Sequence, residues 1–165
     1  MRLKDFIPNV KKEFGKIFFS GISFDSFKVK KNDIFFAIKG NKFNGNKFIS
    51  HAIKNGSRII VSENKSDKYK NGILFINKKN IRKLLAEVSS KIYNKKPKNL
   101  IAVTGTNGKS SVSDFYYQIL RLNKKRVASI GTLGVKAENL NIKLSNTTID
   151  PIQLSQILQK IKNQK

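Results

Sequence analysis

Residues 104–111 read TGTNGKSS and form a polar, glycine-containing loop between two apolar stretches. Glycines let the backbone approach a ligand closely, so that successive N–H groups can point at phosphate oxygens. Lys109 supplies a mobile positive charge for the β- and γ-phosphates of a nucleotide, and the Ser110 hydroxyl is a suitable ligand for Mg²⁺. An ordinary turn would also contain glycine, and Val103 stands where the general phosphate-loop pattern has its first glycine. Gly-Lys-Ser at the start of a helix nevertheless favours a phosphate site.

The segments on either side of this loop have the patterns of a strand and a helix. Leu100 to Val103 predict a short buried strand before the loop. A second strand is predicted in RVASIGT, residues 126–132, which completes the right-handed βαβ order in which phosphate loops occur. The helix between them has one apolar face, formed by Val112, Phe115, Tyr116 and Ile119.

A last helix is predicted to begin at Asp150 and Pro151, an N-cap followed by proline in the first helical position. Its apolar face consists of Leu154, Ile157, Leu158 and Ile161. Residues 98–165 are fewer than the roughly 100 to 150 of an ordinary domain. We therefore expect the apolar faces at 112–119 and 154–161 to lack the strands that would cover them.

The first half of the chain has the pattern of a separate small α/β domain. Strands are predicted at GISFDS, DIFFAI, RIIVSE and GILFI, and a helix that stops at Gly56 is predicted in KFISHAIKNG. A longer helix follows, with one apolar face formed by Ile81, Leu84, Leu85, Val88 and Ile92. The basic, proline-containing segment NKKPKN, residues 94–99, separates the two halves. We predict two domains, residues 1–97 and residues 98–165.

Composition excludes several classes of site. The chain has 165 residues, no cysteine and one histidine, His51, which rules out disulfides, thiolate metal sites, a cysteine nucleophile and histidine metal clusters. We interpret His51 as a helix residue at the domain surface. The N-terminal MRLKDFIPNVKKEF lacks the apolar core of a signal peptide, and no segment approaches the roughly 18 consecutive apolar residues of a membrane span. We expect a cytoplasmic protein with no membrane partner.

The formal net charge of +24 raises the question of nucleic-acid binding. Lysine accounts for 29 of the 34 basic residues, and arginine, the usual reader of bases and phosphates, for 5. The lysines are scattered over every segment and accompany 18 asparagines, a composition that adenine- and thymine-rich codons favour. We interpret the charge as a solvated surface and expect no nucleic-acid partner, with a basic nucleic-acid-binding protein as an alternative.

The octapeptide VTGTNGKS, residues 103–110, resembles the phosphate loop of the Mur ligases, where an apolar residue precedes T-G-T-N-G-K and Thr or Ser. The loop of the folylpolyglutamate synthetases is similar, but two further segments favour the Mur branch. SFDSFKVKKNDIFFAIKGNKFNGNKFISHAIKNG, residues 23–56, resembles the N-terminal uridine-binding domain of that branch. SNTTID, residues 145–150, resembles the N-T-T-P segment of the ligases that add the third amino acid of the peptidoglycan stem peptide. Phe27 and Ile149 depart from the pattern, which has arginine and proline there.

The resemblance implies an α/β fold, with a small uridine-binding domain followed by the first part of a P-loop ATPase domain. It implies an ATP-dependent ligase that uses Mg²⁺ and joins diaminopimelate or lysine to UDP-N-acetylmuramoyl-L-alanyl-D-glutamate through an acyl phosphate. We also expect a monomer. The predicted ATP contacts are Gly105, Thr106, Asn107, Gly108, Lys109, Ser110 and Ser111, with Lys109 and Ser110 catalytic and Ser110 the metal ligand. The predicted substrate contacts are Phe24, Ser26, Asn41, Lys42 and Phe43 for the nucleotide sugar and Asn146, Thr147 and Thr148 for the peptidyl part.

The sequence also indicates what this reaction still needs. After Lys109 the acidic residues are Asp114, Glu138 and Asp150, and none directly follows a predicted strand, where a carboxylate helps to hold Mg²⁺ in phosphate-loop enzymes. We interpret the chain as the N-terminal part of such a ligase and expect it to be inactive alone. A non-catalytic phosphate-loop module is an alternative interpretation.

Overall fold

The computed structural model describes residues 1–40, 44–63, 66–144 and 149–164. Contacts divide the chain into two compact units, Met1–Ile92 and Tyr93–Lys165. The division falls at the end of a helix, a few residues before the proline-containing segment that predicts the domain boundary. No helix in the described ranges combines the length and the hydrophobicity that a membrane-spanning segment requires.

The first unit is built on a five-stranded sheet with the order β1-β2-β3-β5-β4. Its strands are β1 (Ile22–Ser23), β2 (Ile34–Phe36), β3 (Ile59–Ser62), β4 (Lys68–Lys70) and β5 (Ile73–Asn77). The first three strands and β5 are parallel to their neighbours, and β4 is antiparallel to β5. The four predicted strands are confirmed. β4 was missed because its residues, KYK, are all exposed and show no apolar alternation.

Helices cover this sheet, and the hydrophobic pattern determines which side chains they contact. The helical elements are α1 (Leu3–Phe6), a 3-10 helix (Gly45–Phe48), α2 (Ile49–Lys54) and α3 (Ile81–Ile92). Ala52 of α2 lies in a core cluster with Phe35 of β2 and Ile60 of β3. Neighbouring strand residues such as Phe36 and Val61 point to the opposite face and are fully buried as well, so both faces are covered. The predicted apolar face of α3 is buried at Ile81, Leu84, Leu85 and Val88.

The second unit contains two helices and a small antiparallel sheet. Its elements are α4 (Lys109–Leu122), β6 (Ser129–Gly131), β7 (Gly134–Ala137), β8 (Leu140–Ile142) and α5 (Pro151–Asn163), and the sheet order is β6-β7-β8. The predicted start of α5 is confirmed, because an Asp150 carboxylate oxygen accepts a hydrogen bond from the Gln153 N–H at 2.9 Å and Pro151 is the first helical residue.

The prediction of a buried strand at Leu100 to Val103 was wrong. Residues 101–104 have no regular secondary structure, and Leu100 and Ile101 are 58% and 65% exposed. The predicted βαβ unit is therefore also wrong for the described residues, since β6 pairs antiparallel with β7. A strand needs a neighbour for its backbone hydrogen bonds. β6 reaches β7 through a two-residue connection, and closing such a short loop costs far less entropy than parallel pairing across a helix.

The apolar face of α4 is largely exposed, as the sequence predicts. Val112, Phe115 and Ile119 are 53%, 63% and 57% exposed. The same prediction for α5 was partly wrong, because Ile157 is buried while Leu154 remains exposed. Helix α4 also makes polar contacts with the adjacent hairpin.

Two ion pairs join α4 to the region of β7. Asp114 accepts hydrogen bonds from Lys136 Nζ at 3.1 Å and from Gln118 Nε2 at 2.6 Å. These bonds hold the pKa of the Asp114 carboxyl below its ordinary value of 3.8, the Lys136 hydrogen bond being the main cause. The second pair, Arg121 with Glu138, has an N–O distance of 3.3 Å and is more exposed.

We expect Asp114→Asn to loosen the packing of α4 on the hairpin at neutral pH. A carboxyl whose pKa is lowered by folding contributes stability above its unfolded pKa and loses that stability as the pH falls through the folded value. The difference between the variant and the wild type should therefore shrink once the pH is brought below 3.8. Hydrogen exchange of the α4 and β7 amides in the variant and the wild type, at several pH values, measures this difference.

Glu138→Gln is the matched control for this prediction. It removes the carboxylate of the other ion pair between α4 and the hairpin, the pair with Arg121. Because this pair is more exposed, and exposed ion pairs contribute about 0 to 1 kcal/mol, the substitution should have a small effect. Faster exchange in Asp114→Asn than in Glu138→Gln at pH 7 supports the assignment, and equal exchange in the two variants contradicts it.

Candidate functional site

The loop at residues 104–108 has the backbone of an anion-binding loop. Gly105 has a φ of +153° and Gly108 a φ of +76°, both in a region that side chains disfavour. Gly108 is the N-cap of the 14-residue helix α4. The N–H groups of the first helical turn, Lys109 to Ser111, thus lack intrahelical partners and carry the positive end of the helix dipole. The loop can bind phosphate oxygens through its backbone.

Lys109 places its ammonium group over this loop. Its Nζ donates hydrogen bonds to the backbone carbonyl oxygens of Gly105 and Thr106, the latter at 3.0 Å. The side chain remains exposed, so the ammonium is available to an anion that enters the loop. Three features therefore favour negative charge here: backbone N–H groups, the helix dipole and one cation.

Ser110 lies beside a second hydroxyl that the sequence patterns did not single out. Ser110 Oγ is 3.1 Å from Thr132 Oγ1, and Thr132 directly follows β6. One turn further along α4, Ser113 Oγ is 3.0 Å from Ser129 Oγ on the same strand. These contacts place the carboxyl end of β6 beside the phosphate loop. Thr132 is the last residue of the strand predicted at 126–132, and this position could have indicated that its hydroxyl lies near the loop.

Hydroxyl oxygens suit Mg²⁺, which takes oxygen ligands and keeps several waters. Ser110 therefore fits a Mg²⁺ ion that is also held by nucleotide phosphates. The carboxylates of the second unit are all engaged elsewhere, since Asp114 binds Lys136, Glu138 binds Arg121 and Asp150 caps α5. In the described ranges no three histidine or acidic side chains form a metal-binding group.

The predicted nucleotide-sugar segments follow two adjacent parallel strands of the first unit. Phe24 and Ser26 come after β1, and residues 41–43 come after β2. Since β1 and β2 are parallel, the connections that follow these two strands begin at the same edge of the sheet, where ligands bind in open parallel sheets. Asn41, Lys42 and Phe43 themselves lie outside the described residues, as do Asn146, Thr147 and Thr148 of the predicted peptidyl site.

The structure gives Phe24 and Ser26 different surroundings. Phe24 is 38% exposed, whereas Ser26 is buried. Ser26 Oγ lies 3.0 Å from His51 Nδ1, and the Ser26 carbonyl oxygen accepts a hydrogen bond from Asn55 Nδ2 at 2.8 Å. His51 is a partly exposed helix residue, as interpreted from the sequence, and its contact with Ser26 was not predicted. His51 and Asn55 are one helical turn apart, and this spacing indicates that they share a face of the helix. The spacing does not indicate their partner, Ser26, which is 25 or more residues away in the sequence.

A cleft of about 110 Å³ lies at the same edge of the sheet. It is formed where β2, β3 and β5 end and α3 begins, and its lining includes Lys39, Glu63, Lys79 and Arg82. The cleft carries more positive than negative side chains, which favours an anionic ligand group at this edge.

Comparisons with known proteins agree with these features. A sequence profile described as the Mur ligase family catalytic domain matches residues 19–105, and one described as the Mur ligase middle domain matches residues 103–165. A Rickettsia montanensis protein named UDP-N-acetylmuramoyl-L-alanyl-D-glutamate--2,6-diaminopimelate ligase is 40% identical over 157 residues, which are 93% of this chain and 32% of that protein.

Solved structures give the same result at the level of the fold. A structure titled as that same ligase superposes with a TM-score of 0.75 at 25% identity, over 99% of this chain and 34% of the other. The MurF ligase from Thermotoga maritima in complex with ADP has a TM-score of 0.50 at 24% identity, over 87% of this chain and 29% of that chain, and shows the fold alone.

The chain thus spans about a third of the length of these relatives. The resemblance to the Mur ligases is confirmed, because one family profile alone covers more than half of the residues. The predicted α/β fold is confirmed as well, because the structure superposes on that of a ligase with the same kind of fold. The chain belongs to the Mur ligase family.

Proposed function

We propose that this chain is the nucleotide-binding part of an ATP-dependent ligase of peptidoglycan precursor synthesis. The ligase adds 2,6-diaminopimelate to UDP-N-acetylmuramoyl-L-alanyl-D-glutamate, the reaction for which the relatives are named. In this proposal residues 1–97 form the uridine-binding domain and residues 98–165 the first part of the ATP-binding domain. The protein acts in the cytoplasm as a monomer and needs neither a membrane nor a nucleic acid.

The observation that carries this proposal is the loop before α4. Gly108 caps a 14-residue helix in a left-handed conformation, and Lys109 and Ser110 follow it directly. This combination of free N–H groups, a cation and a hydroxyl favours a nucleotide phosphate as the ligand over an ordinary glycine turn. The relatives' names supply the substrate, and the loop supplies the chemistry that such a substrate requires.

The residues of this loop stabilise charge while the γ-phosphoryl group is transferred. The terminal carboxylate of the peptidyl substrate attacks the γ-phosphorus, the bond to the β-phosphate oxygen breaks, and an acyl phosphate and ADP are formed. Negative charge spreads over the phosphoryl oxygens during this step. Lys109 and the N–H groups of residues 105–111 bind those oxygens, and Ser110 would hold Mg²⁺, which would supply further positive charge to the phosphoryl oxygens.

The diamino acid's amine then attacks the acyl carbon, and inorganic phosphate leaves as the amide forms. In this second step the loop at residues 105–111 holds the nucleotide, and Asn146, Thr147 and Thr148 hold the peptidyl substrate. In this proposal the surface that binds the amine belongs to the part of the relatives that this chain does not match, about two thirds of their length.

The first unit is proposed to bind the uridine diphosphate end of the substrate. We expect UDP-N-acetylmuramic acid, titrated into ¹⁵N-labelled protein, to shift NMR signals in the connections that follow β1 and β2. The shifts should cluster at Phe24 to Phe27 and at residues 41–43, because only these connections follow the adjacent parallel strands β1 and β2.

ADP is the matched control ligand, because it has the same diphosphate but a different base. Its shifts should map instead to residues 105–111. Equal shifts from both ligands, scattered over the lysines, would show that the positive charge of the chain binds any polyphosphate and would contradict a uridine site in the first unit.

A further inference from the structure

Two segments of the first unit, residues 1–4 and residues 15–19, lie side by side and antiparallel, and we call them the N-terminal ribbon. Backbone hydrogen bonds of 2.9 to 3.3 Å join the two segments. Arg2 and Phe18 are directly opposed partners in this pairing. Opposed residues of an antiparallel pair place their side chains on the same face, so the guanidinium of Arg2 and the ring of Phe18 are neighbours.

The two faces of the N-terminal ribbon differ in burial. Leu3 and Phe19 are buried, with exposed fractions of 0% and 2%, and the Phe19 ring packs edge-on against Phe6 with centroids 5.3 Å apart. Phe18, by contrast, is 65% exposed. The Arg2 guanidinium carbon lies 5.9 Å from the centroid of the Phe18 ring, which is a cation–π distance. The outer face therefore carries an aromatic ring that the core does not use.

A cavity of about 210 Å³ lies on this outer face. A single water needs only roughly 10 to 15 Å³ of such volume, so the cavity has room for a group larger than one ion. It is lined by three cations and one aromatic ring, which belong to Arg2, Lys4, Lys16 and Phe18. Within the described ranges none of these three cations is paired with a carboxylate. The cavity therefore favours an anionic ligand.

This cavity is separate from the two sites described above. Phe18 lies four positions before Ile22, the first residue of β1, so the N-terminal ribbon approaches the amino end of that strand. The connections that follow β1 and β2 begin at the opposite, carboxyl end. The phosphate loop belongs to the second unit. A ligand in the cavity would thus bind independently of the proposed uridine and ATP sites.

We propose that the N-terminal ribbon binds a small phosphate monoester whose phosphate is joined directly to an aromatic or apolar group. Three cations favour a phosphate, which carries nearly two negative charges at pH 7, over a singly charged carboxylate. Arginine binds phosphate oxygens through two parallel hydrogen bonds, and the two lysines add positive charge. The exposed ring of Phe18 stabilises a planar group beside the phosphate.

The short distance between the cation and the ring narrows the class of ligand. With Arg2 only 5.9 Å from the centroid of Phe18, one ligand reaches both when its phosphate and its apolar group are adjacent. In a nucleotide a ribose separates the base from the phosphates, so ADP and the uridine nucleotide fit this cavity poorly. The proposal goes beyond the proposed ligase function and does not depend on it.

NMR titration of phenyl phosphate into the ¹⁵N-labelled full chain tests the proposal. Its shifts should cluster at residues 1–4 and 15–19, apart from any shifts at residues 105–111 of the phosphate loop. Methyl phosphate is the matched control ligand, because it has the same charge and no ring. It should bind the N-terminal ribbon about fivefold more weakly, since it lacks the contact between aromatic rings.

Three variants assign the binding to individual side chains. Phe18→Ala should lower the affinity for phenyl phosphate to that for methyl phosphate, and Lys16→Ala should weaken both ligands by about threefold, as expected of an exposed ion pair. Lys12→Ala is the matched control, because Lys12 is an exposed lysine of the preceding segment that does not line the cavity. It should leave both affinities nearly unchanged. All three side chains are exposed, so the variants should keep the fold.

The outcomes separate this site from the general charge of the chain. Shifts at the N-terminal ribbon that are stronger with phenyl phosphate, and that weaken in Phe18→Ala and Lys16→Ala but not in Lys12→Ala, support the proposal. Equal shifts from both ligands scattered over the lysines, or no shifts at the ribbon, overturn it. Shifts there with phosphatidylglycerol vesicles and none with phenyl phosphate would identify a lipid surface as the partner and would also overturn it.

Discussion

Lys109→Ala should abolish measurable binding of Mg·ATP while leaving the fold intact. The Lys109 ammonium donates hydrogen bonds to the backbone carbonyl oxygens of Gly105 and Thr106, and since both residues are exposed, its removal leaves neither carbonyl buried without a partner. A hydrogen bond to a charged group contributes about 1.5 to 3 kcal/mol, and each 1.4 kcal/mol is about a tenfold change in affinity. A loss of this size leaves only the backbone N–H groups to bind the phosphates, and the remaining affinity for Mg·ATP should then be too low for calorimetry to measure.

Lys162→Ala is the matched control for this prediction. Lys162 is an exposed lysine in the helix α5 of the same unit, so the substitution removes the same charge and the same number of atoms. It should change ATP affinity by little, and then only through the long-range field of the chain, which salt screens. Equal ATP affinity in Lys109→Ala and wild type would contradict the assignment of the loop as a nucleotide site.

A polypeptide of these 165 residues should bind Mg·ATP without turning it over. The three carboxylates that follow Lys109 are bound to Lys136, to Arg121 and to the first turn of α5, so none is free to complete a Mg²⁺ site beside Ser110. Correct positioning of reactants contributes roughly 7 to 11 kcal/mol to lowering a barrier. A chain that matches about a third of its relatives should lack much of that positioning.

Phosphate release in the presence of UDP-N-acetylmuramoyl-L-alanyl-D-glutamate and 2,6-diaminopimelate measures this prediction. The Rickettsia montanensis relative, assayed in parallel, is the positive control for the substrates. Release that requires both substrates and disappears in Lys109→Ala would contradict the prediction and would show that these residues form a complete catalytic site.

Much of the first unit could be predicted from its sequence, because its elements are specified by local patterns. The residues Ile81, Leu84, Leu85 and Val88 recur at helical spacing and are all buried. The four apolar strands of the sheet are flanked by turn residues, and the cap at Asp150 is formed within one helical turn. The turn before α4 belongs to the same class, since Gly108, which caps the helix, and the adjacent Lys109 and Ser110 are set by the local sequence.

Features that depend on distant partners could not be predicted in this way. Leu100 to Val103 have the composition of a buried strand but are exposed, because a strand forms only beside a neighbour and β6 pairs with β7 instead. Thr132 gained its place beside Ser110 through the same packing.

His51 is the clearest example in the candidate site. Its sequence surroundings indicate only a short helix, whereas the structure brings it to a serine 25 positions earlier in the chain. The sequence by itself therefore determined helices α2 to α5, the four apolar strands of the first sheet and the glycine-containing turn before α4, since each depends on interactions within a few residues. Tertiary structure alone decided which strands pair and which side chains support the site. Those contacts join segments that are distant in the sequence, and they form only when their free energy exceeds the entropic cost of closing the long loops between them.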